Sequence, residues 1–395
     1  GNCALKSQTT GDSNIAVGER AGCGLTTGNG NIMIGQGIGQ AAITGGCNVG
    51  IAYQGYVSLT SGGCNVALGY RPLYSNTTGN HNTAIGCGAL LNNTTASCNV
   101  AVGSDALDSN TTGSSNVAVG TDALQGNTTA SNNIAIGDDS QKTTSTGGNN
   151  TSLGSASLCT NSTGTHNVAI GKEALKASTT ANYNTALGTE ALKAQTTGVS
   201  NTAVGYYSLV ASTTGACNVA VGVQAGDSVT DGLANTLIGS FAGKDLAAGG
   251  GNVVVGSLKP DGVYSPPYNL GSSDNNRIVL GSTTSTNAYI QIDWTVTSDL
   301  RDKTNIENVP HGLNFINQIT PIKYNFKTSR EDETINGSKK YGFSAQEILA
   351  LEGDNPIIVD NEDTNNLKMT NAHLIPVLVN AIKELKAEID ELKNN

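Results

Sequence analysis

An asparagine returns every seventeen residues along two thirds of this chain. It opens the motif N-x-A-(V/I/L)-G at Asn14, Asn31, Asn48, Asn65, Asn82, Asn99, Asn116, Asn133, Asn150, Asn167, Asn184, Asn201, Asn218, Asn235 and Asn252, with no insertion between the first copy and the last. A linker has no reason to keep count so strictly. A coil stacked on its neighbours does, because one extra residue would throw every later contact out of line.

The consensus copy is N-(T/V/I)-A-(V/I/L)-G-x-x-A-L-x-x-x-T-T-G-x-x. Its second and fourth positions share one face of a strand, and the Ala between them points to the other. Glycine at the fifth position, as at Gly18 and Gly120, suits a corner with positive φ. The second half adds a buried Leu, as at Leu107, and a Thr-Thr-Gly turn such as Thr111-Thr112-Gly113. Each coil is therefore expected to hold one or two short strands and two corners. At ~4.8 Å per coil, fifteen copies make a rod on the order of 70 Å long. One such coil buries little, so the expectation is three chains packed along an axis, with the Ala positions at the tightest contacts. The layout resembles the head repeats of trimeric autotransporter adhesins of the YadA type, N-x-x-A-I-G, whose period is shorter. The resemblance implies a trimeric parallel β-roll.

Composition fits a coil better than a globule. Fifty glycines, 4% aromatic and 13% charged residues leave few large apolar side chains for a conventional core. A net charge of −10 argues against nucleic-acid binding, which needs a basic face. No apolar run of about eighteen residues offers a membrane span, and no membrane insertion is expected. Residue 1 is Gly, which reads as a fragment or a processed chain. The eight cysteines show no C-x-x-C spacing. Cys47, Cys64, His81 and Cys98 do occupy the same position on successive coils. Four rungs span about 14 Å while zinc ligands sit ~2.0–2.3 Å from the ion, so these four cannot share one ion. A three-fold ring of one such rung is the remaining metal reading; small side chains packed on a ladder are the default, and no metal or cofactor is expected. Cys47 and Cys64 fall inside the ~4.4–6.8 Å Cα separation a disulfide allows. The Asn-Thr-Thr turns at Asn76, Asn93, Asn110 and Asn127 match the glycosylation sequon but repeat because the coil repeats, so turn chemistry is the first reading.

After Asn252 the beat returns as NNRIVLG, which places Asn276 24 residues on with seven extra residues in a loop containing Pro260, Pro266, Pro267, Tyr264 and Tyr268. Such a loop either caps the open end of the solenoid or presents Tyr264 and Tyr268 to a receptor, since exposed aromatics stack on sugars. The alternation over Ala288–Val296 reads as a strand.

At Thr297–Ile306, TSDLRDKTNI, the composition changes. The 98 residues from Ser298 onward carry 27 of the 52 charged side chains. Ser298 stands five residues before Lys303, and a neutral lysine can take a serine proton so that the hydroxyl attacks a nearby carbonyl. Five residues along an α-helix is ~140° of rotation, off one face. SDLRDKTNI, then GLNFINQITPIKYNF, YGFSAQEI and a leucine-rich terminal helix resemble the intramolecular chaperone of bacteriophage endosialidases and tail fibres. The resemblance covers Ser298 to Asn395. It implies that Ser298 is the nucleophile, Lys303 its base and Thr297–Ser298 the bond cut. Asp302, where many relatives carry leucine, departs from that pattern. An acid beside Lys303 favours its charged form.

Over Leu374–Leu392, Ile375, Leu378, Ile382, Leu385, Ile389 and Leu392 follow the a/d spacing of a coiled coil. Isoleucine at a with leucine at d favours two strands in isolated zippers; the resemblance implies three. The fold expected is mainly β. A trimeric parallel β-solenoid over 1–256 leads to a neck at 257–297, then to a small α+β chaperone domain with a coiled-coil helix at 298–395. The function expected is a homotrimeric tail fibre of a phage virion that binds a host-surface glycan. Its enzymatic activity is at most a single self-cleavage. A cellular trimeric adhesin with an uncleaved chaperone is the alternative. A glycan-cleaving enzyme would need paired carboxylates, and the repeats hold no out-of-register acidic pair.

Overall fold

The computed structural model describes residues 1–285, 296, 298–327, 330–354 and 356–394. It divides into two compact units, Gly1–Thr283 and Thr284–Asn395. Of the strand expected over Ala288–Val296, all but Val296 lies outside the described residues.

The first unit is a solenoid. Sixteen short strands, β1 (Ile15–Val17) to β16 (Ile278–Leu280), form one sheet in which every strand pairs with the next in sequence. Each pairing is parallel and in register, so that Val117 lies beside Val100, Ala118 beside Ala101 and Val119 beside Val102. One strand per coil is the rule.

Asparagine side chains tie coil to coil. The Asn116 N–H donates to Asn99 Oδ1 at 2.9 Å, and Asn99 Nδ2 donates to the Gly113 carbonyl at 2.9 Å. The same link runs from Asn31 on Asn14 to Asn252 on Asn235. From Asn31 onward these side chains are fully buried. Only a short carboxamide supplies an acceptor and a donor from one arm; aspartate would supply no donor and would bury a charge. A second column, opening at Asn76, stands eleven residues further along the middle coils. There Asn93, Asn110 and Asn127 each donate Nδ2 to the previous rung's Oδ1 and to a turn carbonyl three residues on. Asn76, Asn93, Asn110 and Asn127 are fully buried, so the sequon is turn chemistry.

The interior corrects the expected orientation of the strands. The third-position alanines point into the coil's own core, with Ala101, Ala118, Ala169 and Ala186 fully buried. The branched side chains at the second and fourth positions point outward. The reason is volume. The third position faces the eighth and ninth, usually Ala and Leu, and the third and ninth share one space. Where the third position is Gly50, the ninth is Tyr56, and a Cβ on Gly50 would sit 2.9 Å from the Tyr56 ring. Where the third is Met33 or Leu237, the ninth is Gly39 or Gly243, and a Cβ on either would sit 2.5–2.7 Å from the larger side chain. Close packing imposes this compensation. A polar layer interrupts the apolar core: Ser140, Gln141, Ser152 and Ser157 are fully buried. Ser140 Oγ lies 2.6 Å from Ser152 Oγ, and Gln141 Nε2 donates to the Ile134 carbonyl and to Ser152 Oγ.

The corners use positive φ at the seventh, ninth and seventeenth positions, as at Asp105, Leu107 and Cys98. No Val, Ile or Thr occupies those positions in the repeats. β-Branched residues are the least tolerant of that conformation. At the fifth position a Cβ on Gly103, with φ +143°, would meet the Gly120 carbonyl at 2.2 Å.

The last rung also differs from expectation. Val253 pairs with Ile278, and Arg277, not Asn276, donates its N–H to Asn252 Oδ1. The offset is 25, and Asn276 takes the positive-φ position before the motif.

In the second unit, Ile322–Lys327 (β17) and Ile335–Gly342 (β18) form an antiparallel hairpin. Val359–Asp360 (β19) pairs with Lys368–Met369 (β20). Helices α1 (Leu313–Ile316), α2 (Ala345–Glu352) and α3 (Leu374–Asn394) complete it. Phe315, Ile348, Ile358, Val359, Leu374 and Val377 form its core.

The second asparagine column predicts a stabilising change. Beyond Asn127 it continues as Thr144, Asn161, Ser178, Gln195 and Ser212, and each of these six residues leaves one buried polar atom without a partner. Ser178→Asn places an amide within reach of Asn161 Oδ1 and the Ala181 carbonyl. It should raise stability by about 1 kcal/mol, read from the denaturant midpoint; a lower midpoint would mean that the rung cannot accept the larger side chain.

Candidate functional site

Ser298 and Lys303 are brought together. Lys303 Nζ donates to Ser298 Oγ at 2.8 Å. The chain achieves this with a 3-10 turn, Leu300–Asp302, rather than an α-helix. Asp299 caps the turn by accepting the Arg301 N–H at 2.9 Å, and the Asp302 N–H bonds back to the Asp299 carbonyl. Lys303 then leaves in an extended conformation, φ −114° and ψ 143°, and its side chain folds back over the turn. The helical rotation that separates positions five apart does not apply to such a path. Asp302 makes no ion pair with Lys303 among the described residues; the acid engaged nearby is Asp299, paired with the Arg301 guanidinium at 2.6 Å. That guanidinium holds the Asp299 carboxyl below the usual carboxylate range. Both members of the Ser298–Lys303 pair are exposed in the single chain. Thr297, on the other side of the expected scissile bond, lies outside the described residues.

Further along, the domain is braced by α3. Asn380 Nδ2 donates to the carbonyls of Val309 and His311, and the Glu384 carboxylate accepts the Leu313 N–H at the start of α1. Glu352, at the end of α2, accepts the N–H groups of Ile357, Ile358 and Val359 at 2.8–3.0 Å and so positions β19. Helix α3 has two apolar faces. Leu374, Val377 and Ala381 are buried against the domain. The predicted seam of Ile375, Leu378, Ile382, Leu385, Ile389 and Leu392 is exposed, Ile382 at 66% and Leu392 at 76%. Leu378 also lines an apolar groove of about 160 Å³ with Ile316, Ile319, Pro321, Phe343 and Leu374.

In the solenoid unit the two loop tyrosines are half-buried. Tyr268 packs against the core beside buried Leu270 and donates its hydroxyl to Asp274. The Tyr264 hydroxyl donates to Asn269, and its pKa is pushed up to about 12, chiefly by burial and secondarily by Asp245 and Asp227. Cys47, Cys64, His81 and Cys98 stand on the seventeenth-position ladder, all exposed, and the cysteines are free thiols. Among the described residues no three metal-ligating side chains converge. The sequence reading missed Asp299 and Glu384. The signal for Asp299 was present: an Asp directly before a short turn is a preferred cap.

Residues 298–354 match the family model described as the chaperone of endosialidase, Peptidase_S74. No curated protein and no solved structure matches the chain. In sequence, a parallel solenoid of seventeen-residue repeats is thus followed by a segment, Ser298 to Asp354, that is similar to the chaperone of endosialidase.

Proposed function

We propose that this chain is a trimeric tail-fibre or tailspike protein of a phage virion. Its solenoid is the shaft, and its C-terminal domain aligns three copies and is then released by self-cleavage. The family match carries the reading. The exposed seam of α3 supports it: six Ile and Leu side chains at coiled-coil spacing in open solvent need partner helices. Sixteen parallel strands have no local nucleus to set register between chains, so a domain that associates first removes the slowest step of assembly. A host-surface glycan contacted through Tyr264 or Tyr268 is part of the reading. The loop's place at the end of the repeat supports it.

The chemistry begins at Ser298. Neutral Lys303 takes the Ser298 proton while Oγ attacks the Thr297 carbonyl carbon. The Thr297–Ser298 C–N bond breaks, and the Ser298 amine leaves with a proton. Water then hydrolyses the ester left between Thr297 and Oγ. In the structure Lys303 donates to Ser298 Oγ, and taking the serine proton calls for its neutral form. A neighbouring chain that covers the turn would desolvate it. Cleavage is thus tied to assembly.

Two outcomes follow. Wild-type protein should lose its 98 C-terminal residues from the 40.1 kDa chain, whereas Ser298→Ala and Lys303→Ala should keep full mass on a denaturing gel. An intact wild-type chain in an assembled particle would remove cleavage and leave the chaperone role. Ile382→Asp with Leu385→Asp should prevent both association, read by sedimentation, and cleavage. Full cleavage in a single-chain particle would contradict the link between them.

A further inference from the structure

Within the unit Gly1–Thr283, the outward face of the sixteen-stranded sheet has no cover among the described residues. At the fourth position of every strand, from Val17 to Leu280, stands Val, Ile or Leu, and at the second stands Val, Ile or Thr. In the single chain many are open to solvent, among them Ile15, Val17, Ile51, Leu153, Leu187, Ile238 and Leu280. In the fifteen repeats the flanking seventeenth position carries no charged residue. The sixth, beyond the strand's other end, carries three, Glu19, Asp138 and Lys172. Most charges stand elsewhere on the coil, at the seventh and tenth positions. There Lys142 bridges Asp122 and Asp139, and Lys193 bridges Glu173 and Glu190. The solenoid is thus amphipathic along its whole length, and charge depletion marks the centre of a protein interface.

Its size is that of an interface. Three-residue strands cover ~10 Å, and fifteen steps of ~4.8 Å extend the stripe for about 70 Å, on the order of 700 Å². A standard interface takes about 800 Å² from each partner, and the largest apolar patch of a typical monomer is about 300–600 Å².

We infer that this stripe is the surface through which shafts of this chain pack on one another, parallel and rung against rung. A partner must repeat at the same rise over sixteen strands whose second and fourth positions hold no charge, and a second copy does so by identity. Around a three-fold axis each stripe meets two others and closes an aliphatic core, while the ion-paired corners stay in water. The inference rests on the trimeric reading and adds the face: the strands' branched side chains, not their alanines, lie between chains.

The test uses the purified full chain with the photo-crosslinker benzoylphenylalanine at Leu153 or, as the contrast, at Lys176 on the charged corner. Irradiation should convert single-chain bands to crosslinked multiples from position 153 and not from 176. In parallel, Leu153→Asp with Leu187→Asp should lower the melting temperature of the assembled particle, although these side chains are 46% and 45% exposed in one chain. Crosslinks from 176 alone, equal crosslinks from both, or none from 153 in a particle that sediments as several chains would overturn the inference and leave trimerisation standing. A particle that sediments as a single chain would overturn both.

Discussion

The structure depends on a carboxamide that takes the N–H of the next motif asparagine on its oxygen and holds the turn carbonyl just before that asparagine with its nitrogen. Each motif asparagine accepts the backbone N–H of the next and donates to a turn carbonyl of the coil it abuts, inside a core that admits no water-exposed alternative. A buried amide left half-bonded costs ~1–3 kcal/mol. Fifteen linked amides therefore fix the coil length more firmly than the thin apolar core could. An insertion is tolerated only outside this chain of bonds. The single break in the beat, after Asn252, sits where the ladder ends and an arginine backbone N–H takes the last acceptor.

The same constraint decides what faces out. A coil held at one strand's width has room for Ala opposite Leu and sends its branched residues outward, where in water they gain little. The outward face completes itself only against something of equal length and equal rise. Both units of the chain thus present the same kind of incompleteness, an aliphatic stripe on the solenoid and an aliphatic seam on α3, each exposed among the described residues. On the proposed reading, the C-terminal segment has a physical task, to bring together surfaces that would otherwise find the wrong register or the wrong partner.

Much of this was legible in the residues, and the misreadings have definite causes. The period, the parallel stacking and the corner at Gly103 follow from counting and from backbone sterics. The inside of the coil did not follow. A Val-Ala-Val strand has two faces, and the habit of burying the larger one fails where the space behind the strand is only an alanine deep. The compensating pairs Gly50 with Tyr56, and Leu237 with Gly243, would have shown that the third and ninth positions share one space. Asn276 was placed a residue out of register because an asparagine was expected to open the last rung, while the acceptor on Asn252 needs only a backbone N–H. At the candidate site, spacing measured on an α-helix argued against Ser298 and Lys303. A capped 3-10 turn brings them to 2.8 Å.

The length lock itself is tested most directly by comparing two deletions in one coil. Removing residues 116–132 takes out one whole seventeen-residue turn, and removing 116–131 takes out one residue fewer. Thermal unfolding followed by far-ultraviolet circular dichroism should show the first protein melting cooperatively close to the full-length chain. The second should lose the cooperative transition, because every rung after the cut is shifted by one. Equal melting of the two would contradict the account.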